Sequence, residues 1–390
     1  MDKLLVVSRK FPPSVGGSQL VMRNLFTFFS PEEYIVCHDD ERINVNQGNA
    51  FTYRELRIDF PHTIRKILGN LCIPLYIFLI PVIVYKLLRL HKREKIRKCL
   101  INYPDPFFSV AGYIFSRFAK IEYFLYFHDL FSEAQVKYTR VVQKLLAEVF
   151  EKQMITRTQH FLVISDGLRD FYEEKYNIRP TVLPHSIDLS VLNQNPIVEK
   201  TSASLPNVTR IVYSGGVYDD QYDAILAFVR AIKNSDLNIK FTITSKSPRR
   251  YLEEIGIADE NTEVAFFEKV EDVFRLQKQA DILYLPLAFE SPAPLEVKTA
   301  IPTKIFEYVA SMCPILVHCP ADSFLSEFCR KNKIGYVCNS KGEKDILRSI
   351  EKLAKRNVYH VDYQHRVNFL KKYDRNKISR KFRRIIGFLY

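Results

Sequence analysis

The stretch Ile301-Pro302-Thr303-Lys304-Ile305-Phe306-Glu307-Tyr308-Val309-Ala310 runs into Ser311-Met312-Cys313-Pro314-Ile315-Leu316-Val317. Pro302 suits the first turn of a helix, where its missing N–H is not needed. Thr303 and Lys304 would then lie at the helix start, where free N–H groups and the dipole favour an anion. Glu307 stands in an otherwise apolar helical run, and an apolar strand at 315–317 follows almost at once. A positive helix start, one carboxylate a turn later and a strand behind suit a phosphorylated sugar. The same residues also read as an ordinary capped helix with Glu307 at its edge.

Working outward from that stretch, apolar strands alternate with amphipathic segments. Strands are expected at 210–213, 240–244, 263–267, 282–285, 315–317 and 335–337, with helices such as 224–232, 270–279 and 344–355 between them. A similar series precedes it, with strands at 4–8, 34–37, 99–102, 122–127, 160–164 and 181–183 and helices at 19–29, 111–119 and 141–157. Such alternation predicts parallel sheets. Residues 193–207 are rich in Asn, Pro, Thr and Ser with little periodicity, and read as a linker. The expected fold class is α/β, with two doubly wound Rossmann-like domains facing a cleft. The domains are expected at 1–192 and 208–365, followed by a basic helix at 366–390. Ligands of such sheets bind at the carboxyl ends of the strands.

Composition is that of a globular chain of 390 residues, 47% hydrophobic and 26% charged. The seven cysteines are scattered with no CxxC, which argues against a zinc site or disulfide framework and for reduced thiols in a cytosolic compartment. The net charge of +13 is concentrated at 86–98 and 371–384. These clusters would suit anionic lipid, nucleic acid or a phosphorylated substrate, or form solvated helix faces. Residues 67–85 carry no charge, but two prolines, Pro74 and Pro81, interrupt them. A spanning helix wants ~20 apolar residues, so a buried or interfacial helix beside a basic tail is the preferred reading over a span. The start of the chain reads as a first strand rather than a signal peptide.

Several loops follow expected strands. Gly16 and Gly17 allow close backbone approach before a helix, without the GxGxxG spacing of a dinucleotide site; a plain tight turn is the alternative. His128 ends a parallel strand and would either point at a sugar or phosphate, or be a packed, satisfied histidine. Ser165 is a good N-cap. Gly215 and Gly216 form a second pair after a strand. Lys246, Arg249 and Arg250 follow the next strand and would reach a diphosphate or lie in a solvated loop.

Taken in order, Phe11-Pro12-Pro13, Gly16-Gly17, His128-Asp129, Val163-Ile164-Ser165-Asp166, Leu183-Pro184-His185-Ser186-Ile187-Asp188, Tyr213-Ser214-Gly215-Gly216, Ala280-Asp281-Ile282 through Pro286, and Pro302-Thr303-Lys304-Ile305-Phe306-Glu307-Tyr308 resemble a GT-B glycosyltransferase of the family 4 (group 1) type. The Pro-Thr-Lys-x-x-Glu-Tyr variant is similar to that of polysaccharide and lipopolysaccharide enzymes. The resemblance implies a nucleotide-sugar donor held mainly by the second domain and a lipid-linked or saccharide acceptor held by the first. It implies that Glu307 binds the donor ribose, that Lys304 and Thr303 face the diphosphate, and that Gly16 and Gly17 border the phosphates and acceptor. His128 would touch the transferred sugar, with Gly215, Gly216, Lys246 and Arg249 as further donor-side candidates. It also implies a retaining, metal-independent reaction with no cofactor, in an enzyme docked peripherally on the inner face of the cell membrane through 71–98 and 371–384. In this fold the last helix commonly crosses back to the first domain. Two features depart from the family pattern. Thr299 stands where a second glutamate is usual, eight residues before Glu307, and Gly216-Val217-Tyr218-Asp219-Asp220-Gln221 replaces the usual Arg and Lys. The alternatives are an epimerase of the same fold and a non-enzymatic module binding membrane or nucleic acid, nucleic acid being the less expected partner of an enzyme of this kind.

Overall fold

Apolar runs without polar alternation form strands buried on both faces, as helix-covered parallel sheets require. A computed structural model describes residues 3–14, 16–39, 53–58, 75–102, 105–134, 141–193, 208–267, 269–354 and 361–388. The chain divides into two units, Met1–Ser186 with Arg375–Tyr390, and Ile187–Asp374.

The first unit is built on Lys3–Val7 (β1), Tyr34–His38 (β2), Arg54–Arg57 (β3), Ile96–Asn102 (β4), Glu122–Phe127 (β5), His160–Val163 (β6) and Thr181–Val182 (β7). They form one sheet in the order β3-β2-β1-β4-β5-β6-β7, and every pairing is parallel. In the second unit Thr209–Ser214 (β8), Ile239–Thr244 (β9), Thr262–Ala265 (β10), Ile282–Pro286 (β11), Ile315–His318 (β12) and Tyr336–Cys338 (β13) form a second parallel sheet, ordered β10-β9-β8-β11-β12-β13. Both sheets reverse their strand order once, between β1 and β4 and between β8 and β11. Crevices for ligands open at the carboxyl ends of such strand pairs.

Helices cover the sheets where caps allow them. Helix Pro106–Ala119 starts earlier than its apolar periodicity suggests: the Asp105 carboxylate accepts from the Phe108 N–H and Pro106 occupies the first turn. Ser165 caps Asp166–Tyr176 by accepting from Leu168 N–H at 3.1 Å. The apolar segment of 67–85 lies partly outside the described residues, as does nearly all of 193–207. Its described part enters helix Leu79–Glu94, which tolerates Pro81 in its first turn and buries Ile80, Ile83, Val84 and Leu87. No helix among the described residues is long and apolar enough to cross a membrane.

The chain leaves the first unit after Ser186 and re-enters it at Arg375. At the crossing, Ile187 N–H donates to the Tyr373 carbonyl at 2.9 Å, within the second unit. Helix Arg375–Ile385 then packs in the first unit's core, with Phe382 and Ile386 fully buried beside Phe26 and Phe29. Ser379 donates to the Leu25 carbonyl at 2.6 Å, and the buried Arg383 pairs with Glu33 at 2.8 Å. The basic run 371–384 is therefore not one surface. Lys371 and Lys372 belong to the second unit, Arg383 is internal, and Lys381 donates to the Val182 carbonyl.

Candidate active site

At the β8 end, Gly215 N–H donates to the Thr244 carbonyl at 2.8 Å and the backbone turns with φ +134°, a conformation that favours glycine. Tyr213 donates its hydroxyl to the Gly216 carbonyl at 2.6 Å. Helix Lys304–Ala310 lies against this turn: Ile305, Phe306 and Val309 are buried, and the Tyr308 hydroxyl accepts from Ser214 N–H at 2.9 Å. The helix begins one step later than expected. Ile305 N–H donates to the Pro302 carbonyl, so Pro302 closes a tight turn ahead of it, and Thr303 caps it without a side-chain hydrogen bond.

That docking brings Lys304 over Gly215. The ammonium donates to the Tyr213 hydroxyl at 3.2 Å, lies 4.3 Å from the centre of its ring, and stands 2.7 Å from where a Gly215 Cβ would be. Loss of hydration pushes the Lys304 pKa down to about 8, with Glu307 opposing. Burial pushes the Glu307 carboxyl up to about 7, with Lys304 opposing. Both side chains keep some solvent contact, which screens part of the effect. Among the described residues, no carboxylate lies within ion-pair distance of Lys304 and nothing hydrogen-bonds the Glu307 carboxylate. The site thus holds a desolvated cation whose partner is a neutral phenol, and a desolvated carboxylate with no hydrogen bond among the described residues.

Other sequence candidates sit apart from this pair. Thr299 ends helix Pro294–Thr299 and turns its hydroxyl to the Leu295 carbonyl. Near it Glu290, a glutamate out of register with the usual position, pairs with Lys341 at 2.5 Å, while its backbone N–H and that of Phe289 donate to Asp223, which fixes the loop after β11. Lys246 is exposed beyond β9. Arg249 spends its guanidinium on Glu253 and on the carbonyls of Asp259 and Thr262. Gly216 lies beneath the exposed ring of Tyr218.

In the first unit, Gly16 and Gly17 open helix Gly17–Leu25, and the next residue, Ser18, meets His128 at the β5 end. The Ser18 Oγ to His128 Nδ1 distance is 2.6 Å. The His128 ring stands edge-on to Tyr126 at 4.3 Å. Burial, and then His185, push its pKa down to about 3, so the imidazole is neutral. Its Nε2 is buried and has no hydrogen-bond partner among the described residues. The chain after it is pinned. Phe131 stacks on Phe127 and donates its N–H to the Tyr172 hydroxyl, which bonds the buried Glu151 carboxylate. Ser132, Lys175 and Tyr176 donate to the same carboxylate. At the ends of β1, β2 and β4, Arg9 bridges Asp39 and Asp105 and lies over the Tyr76 ring; burial works against its charge, but the two carboxylates hold its pKa above the ordinary value. Sequence reading missed Tyr213, Ser18, Arg9 and Glu151. Ser18, directly after the Gly pair, had the only local signal.

Open parallel α/β sheets bind ligands at the carboxyl ends of their strands, where the Gly215 turn and Lys304 lie. Residues 208–356 match the model of the family described as glycosyl transferases group 1. The match lies within the second unit and covers most of it, and the chain has the two-Rossmann-domain fold of the GT-B type. A search of curated proteins returned no match. Among solved structures, the chain is similar to the Anabaena HepE protein in complex with UDP and glucose, at 11% identity and TM-score 0.70 over 100% of both chains. It is also similar to sucrose-phosphate synthase from Thermosynechococcus elongatus, at 12% identity and TM-score 0.69 over 99% of this chain and 98% of that one. A third is the lipopolysaccharide outer core galactosyltransferase WaaB in its apo form, at 13% identity and TM-score 0.63 over 99% of each chain. At such identities the likeness establishes the fold alone.

Proposed function

We propose that the protein transfers a sugar from a UDP-sugar to a lipid-linked or saccharide acceptor in surface polysaccharide or glycoconjugate synthesis, with retention of anomeric configuration and no metal requirement. The observation that carries this reading is the Lys304 ammonium, held over Gly215 with no carboxylate within ion-pair distance among the described residues. A diphosphate supplies the missing charge, through charge-assisted hydrogen bonds that are strong in a desolvated niche. Glu307 accepts from the ribose hydroxyls. Gly215 and Gly216 let the phosphates approach the backbone, Thr303 offers a hydroxyl beside Lys304, and Lys246 is a second cation within reach of solvent. In the first unit, Gly16 and Gly17 border the phosphates and acceptor, and His128 contacts the transferred sugar. The acceptor hydroxyl attacks C1 on the face the diphosphate leaves. The C1–O bond to phosphate breaks as the C1–O bond to the acceptor forms, and a phosphate oxygen takes the hydroxyl proton. Stabilisation of the departing diphosphate by Lys304 is the main electrostatic contribution. The UDP named with the Anabaena HepE structures makes UDP-sugars the first donors to try.

Binding of a panel of UDP-, GDP- and other nucleotide sugars, followed by thermal shift, tests this. One donor should raise the melting temperature of the native protein, and Glu307→Ala should raise its KM or abolish turnover. Unchanged kinetics in Glu307→Ala would sink the site assignment.

The acceptor side carries a surface that fits a membrane. On helix Leu79–Glu94 and the turn before it, Phe78, Val82 and Tyr85 are 71%, 43% and 60% exposed, and Arg89, Lys92 and Arg93 continue toward the helix end, also exposed. Apolar residues followed by cations suit insertion beside anionic headgroups, at about 1 kcal/mol per cation. We infer peripheral docking on the inner face of the cell membrane. Sedimentation with phosphatidylglycerol vesicles, but not phosphatidylcholine ones, is the expected result. Charge reversal at Arg89 and Arg93 should abolish it, and binding indifferent to charge reversal and salt would count against docking.

A further inference from the structure

We propose that Ser18 is a positioning residue that sets the tautomer of His128, placing the ring proton on Nε2 so that the imidazole offers an N–H donor to an oxygen of the transferred sugar. The proposal deepens the proposed function and rests on it for the identity of the ligand, but not for the tautomer itself.

Ser18 Oγ and His128 Nδ1 are 2.6 Å apart, and either group could donate. Hydroxyl donors make the shorter bonds: O–H···O contacts have a mode of about 2.7–2.8 Å, against about 2.9–3.0 Å for N–H···O. A separation of 2.6 Å therefore favours Ser18 donating into the Nδ1 lone pair. The neutral ring then has one place for its proton, Nε2. The alternative leaves the Ser18 hydroxyl hydrogen without any acceptor among the described residues. His128 is 7% exposed, and its Nε2 is buried without a partner among the described residues. A buried N–H left unpaired costs free energy until something accepts from it, and a sugar hydroxyl or ring oxygen is such an acceptor.

Both ends of the link are held. Ser18 lies in the first turn of helix Gly17–Leu25, whose Val21, Met22 and Leu25 are buried. His128 follows β5, is flanked by the Tyr126 ring, and is trailed by the pinned segment through Phe131. The backbone that brings the Gly16-Gly17 turn to the site thus also presents the hydroxyl that fixes the histidine.

The test uses the full-length protein labelled with 15N-histidine, with the His128 signals assigned by their loss in His128→Gln. The native protein should show a protonated Nε2 and an unprotonated Nδ1. Ser18→Ala should give mixed tautomers, and Ser18→Thr should restore the native pattern. A proton on Nδ1 in the native protein, or an unchanged pattern in Ser18→Ala, overturns the proposal. Kinetically, Ser18→Ala should lower kcat about ten-fold with donor KM nearly unchanged, the size of one hydrogen bond lost in the transition state. It should have no further effect in the His128→Ala background. If His128→Ala itself leaves turnover unchanged, the sugar-contact reading fails while the tautomer result stands on its own.

Discussion

The Lys304 ammonium rests 4.3 Å from the centre of the Tyr213 ring and 3.2 Å from its hydroxyl, so an uncharged phenol is its main partner. A cation–π contact of this kind contributes about 0.5–2 kcal/mol, less than full hydration of the charge. The depressed Lys304 pKa reflects that deficit. The cost of keeping the charge is fully present below about pH 8 and disappears above the ordinary lysine value. Lys304→Met should therefore stabilise the ligand-free protein at pH 7 by about 1–2 kcal/mol after allowing for solvent screening, while weakening UDP binding ~10–100-fold. Urea unfolding and calorimetric titration check the two halves.

Gly215→Ala should act on the same contact from below. Its Cβ would fall 2.7 Å from the Lys304 nitrogen, and φ +134° is strained for alanine. About 1–3 kcal/mol of stability should be lost, with a raised donor KM. Gly216→Ala meets only the exposed Tyr218 ring, which has room to swing away, so its effect should be smaller. Equal effects at the two positions would contradict a close Lys304–Gly215 approach.

Donor affinity should peak between about pH 7 and 8. Glu307 is ionised and able to accept above its raised pKa of about 7, and Lys304 keeps its charge below its lowered pKa of about 8. Glu307→Gln should flatten the acid limb of the KM profile and Lys304→Met the alkaline one.

His128 and His185 are both held neutral, with pKa values pushed down by burial to about 3. The unfolded chain protonates both below its ordinary value of about 6.5, so stability present at pH 7 is lost as pH falls through this window toward 3. The slope should approach ~2.7 kcal/mol per pH unit. His185→Gln should halve it in urea unfolding at pH 6, 5 and 4.

Glu151, 1% exposed, collects donors from Ser132, Tyr172, Lys175 and Tyr176. Glu151→Ala leaves the Ser132, Tyr172 and Tyr176 hydroxyls without this acceptor, while Lys175 keeps Glu133 at 2.6 Å, and should cost about 1–3 kcal/mol. Glu151→Gln retains acceptor capacity and should cost clearly less. Chemical denaturation followed by tyrosine fluorescence reads both.

Much of this architecture is legible in the sequence because parallel strands buried on both faces read as plain apolar runs. Lys3–Val7 and Ile315–His318 leave little else to be. Arg54–Arg57 is different: among the described residues it pairs with β2 alone and is largely exposed, so its Arg-Glu-Leu-Arg sequence has no apolar signature. Helix Arg249–Glu254 is too short to show a period. Pro106 reads as a turn residue unless Asp105 is recognised as the cap of helix Pro106–Ala119. In the site, Lys304 and Glu307 are legible because they share one helix. The Ser18–His128 and Arg9–Asp105 contacts join residues roughly a hundred positions apart, and no local pattern encodes such a pairing.

Helix Arg375–Ile385 also bears on how the protein is made. With the residue after it, it supplies Phe382 and Ile386 to the core of the first unit and the Arg383 partner of Glu33. Yet translation reaches it only after residues 187–374 have emerged. The second unit has all its residues, Ile187–Asp374, in one uninterrupted stretch and is free to fold as it is synthesised. The first unit, although begun earlier, receives the last side chains that pack on Phe26 and Phe29 only at the end of synthesis, so its core cannot be complete before the whole of the second unit has been made.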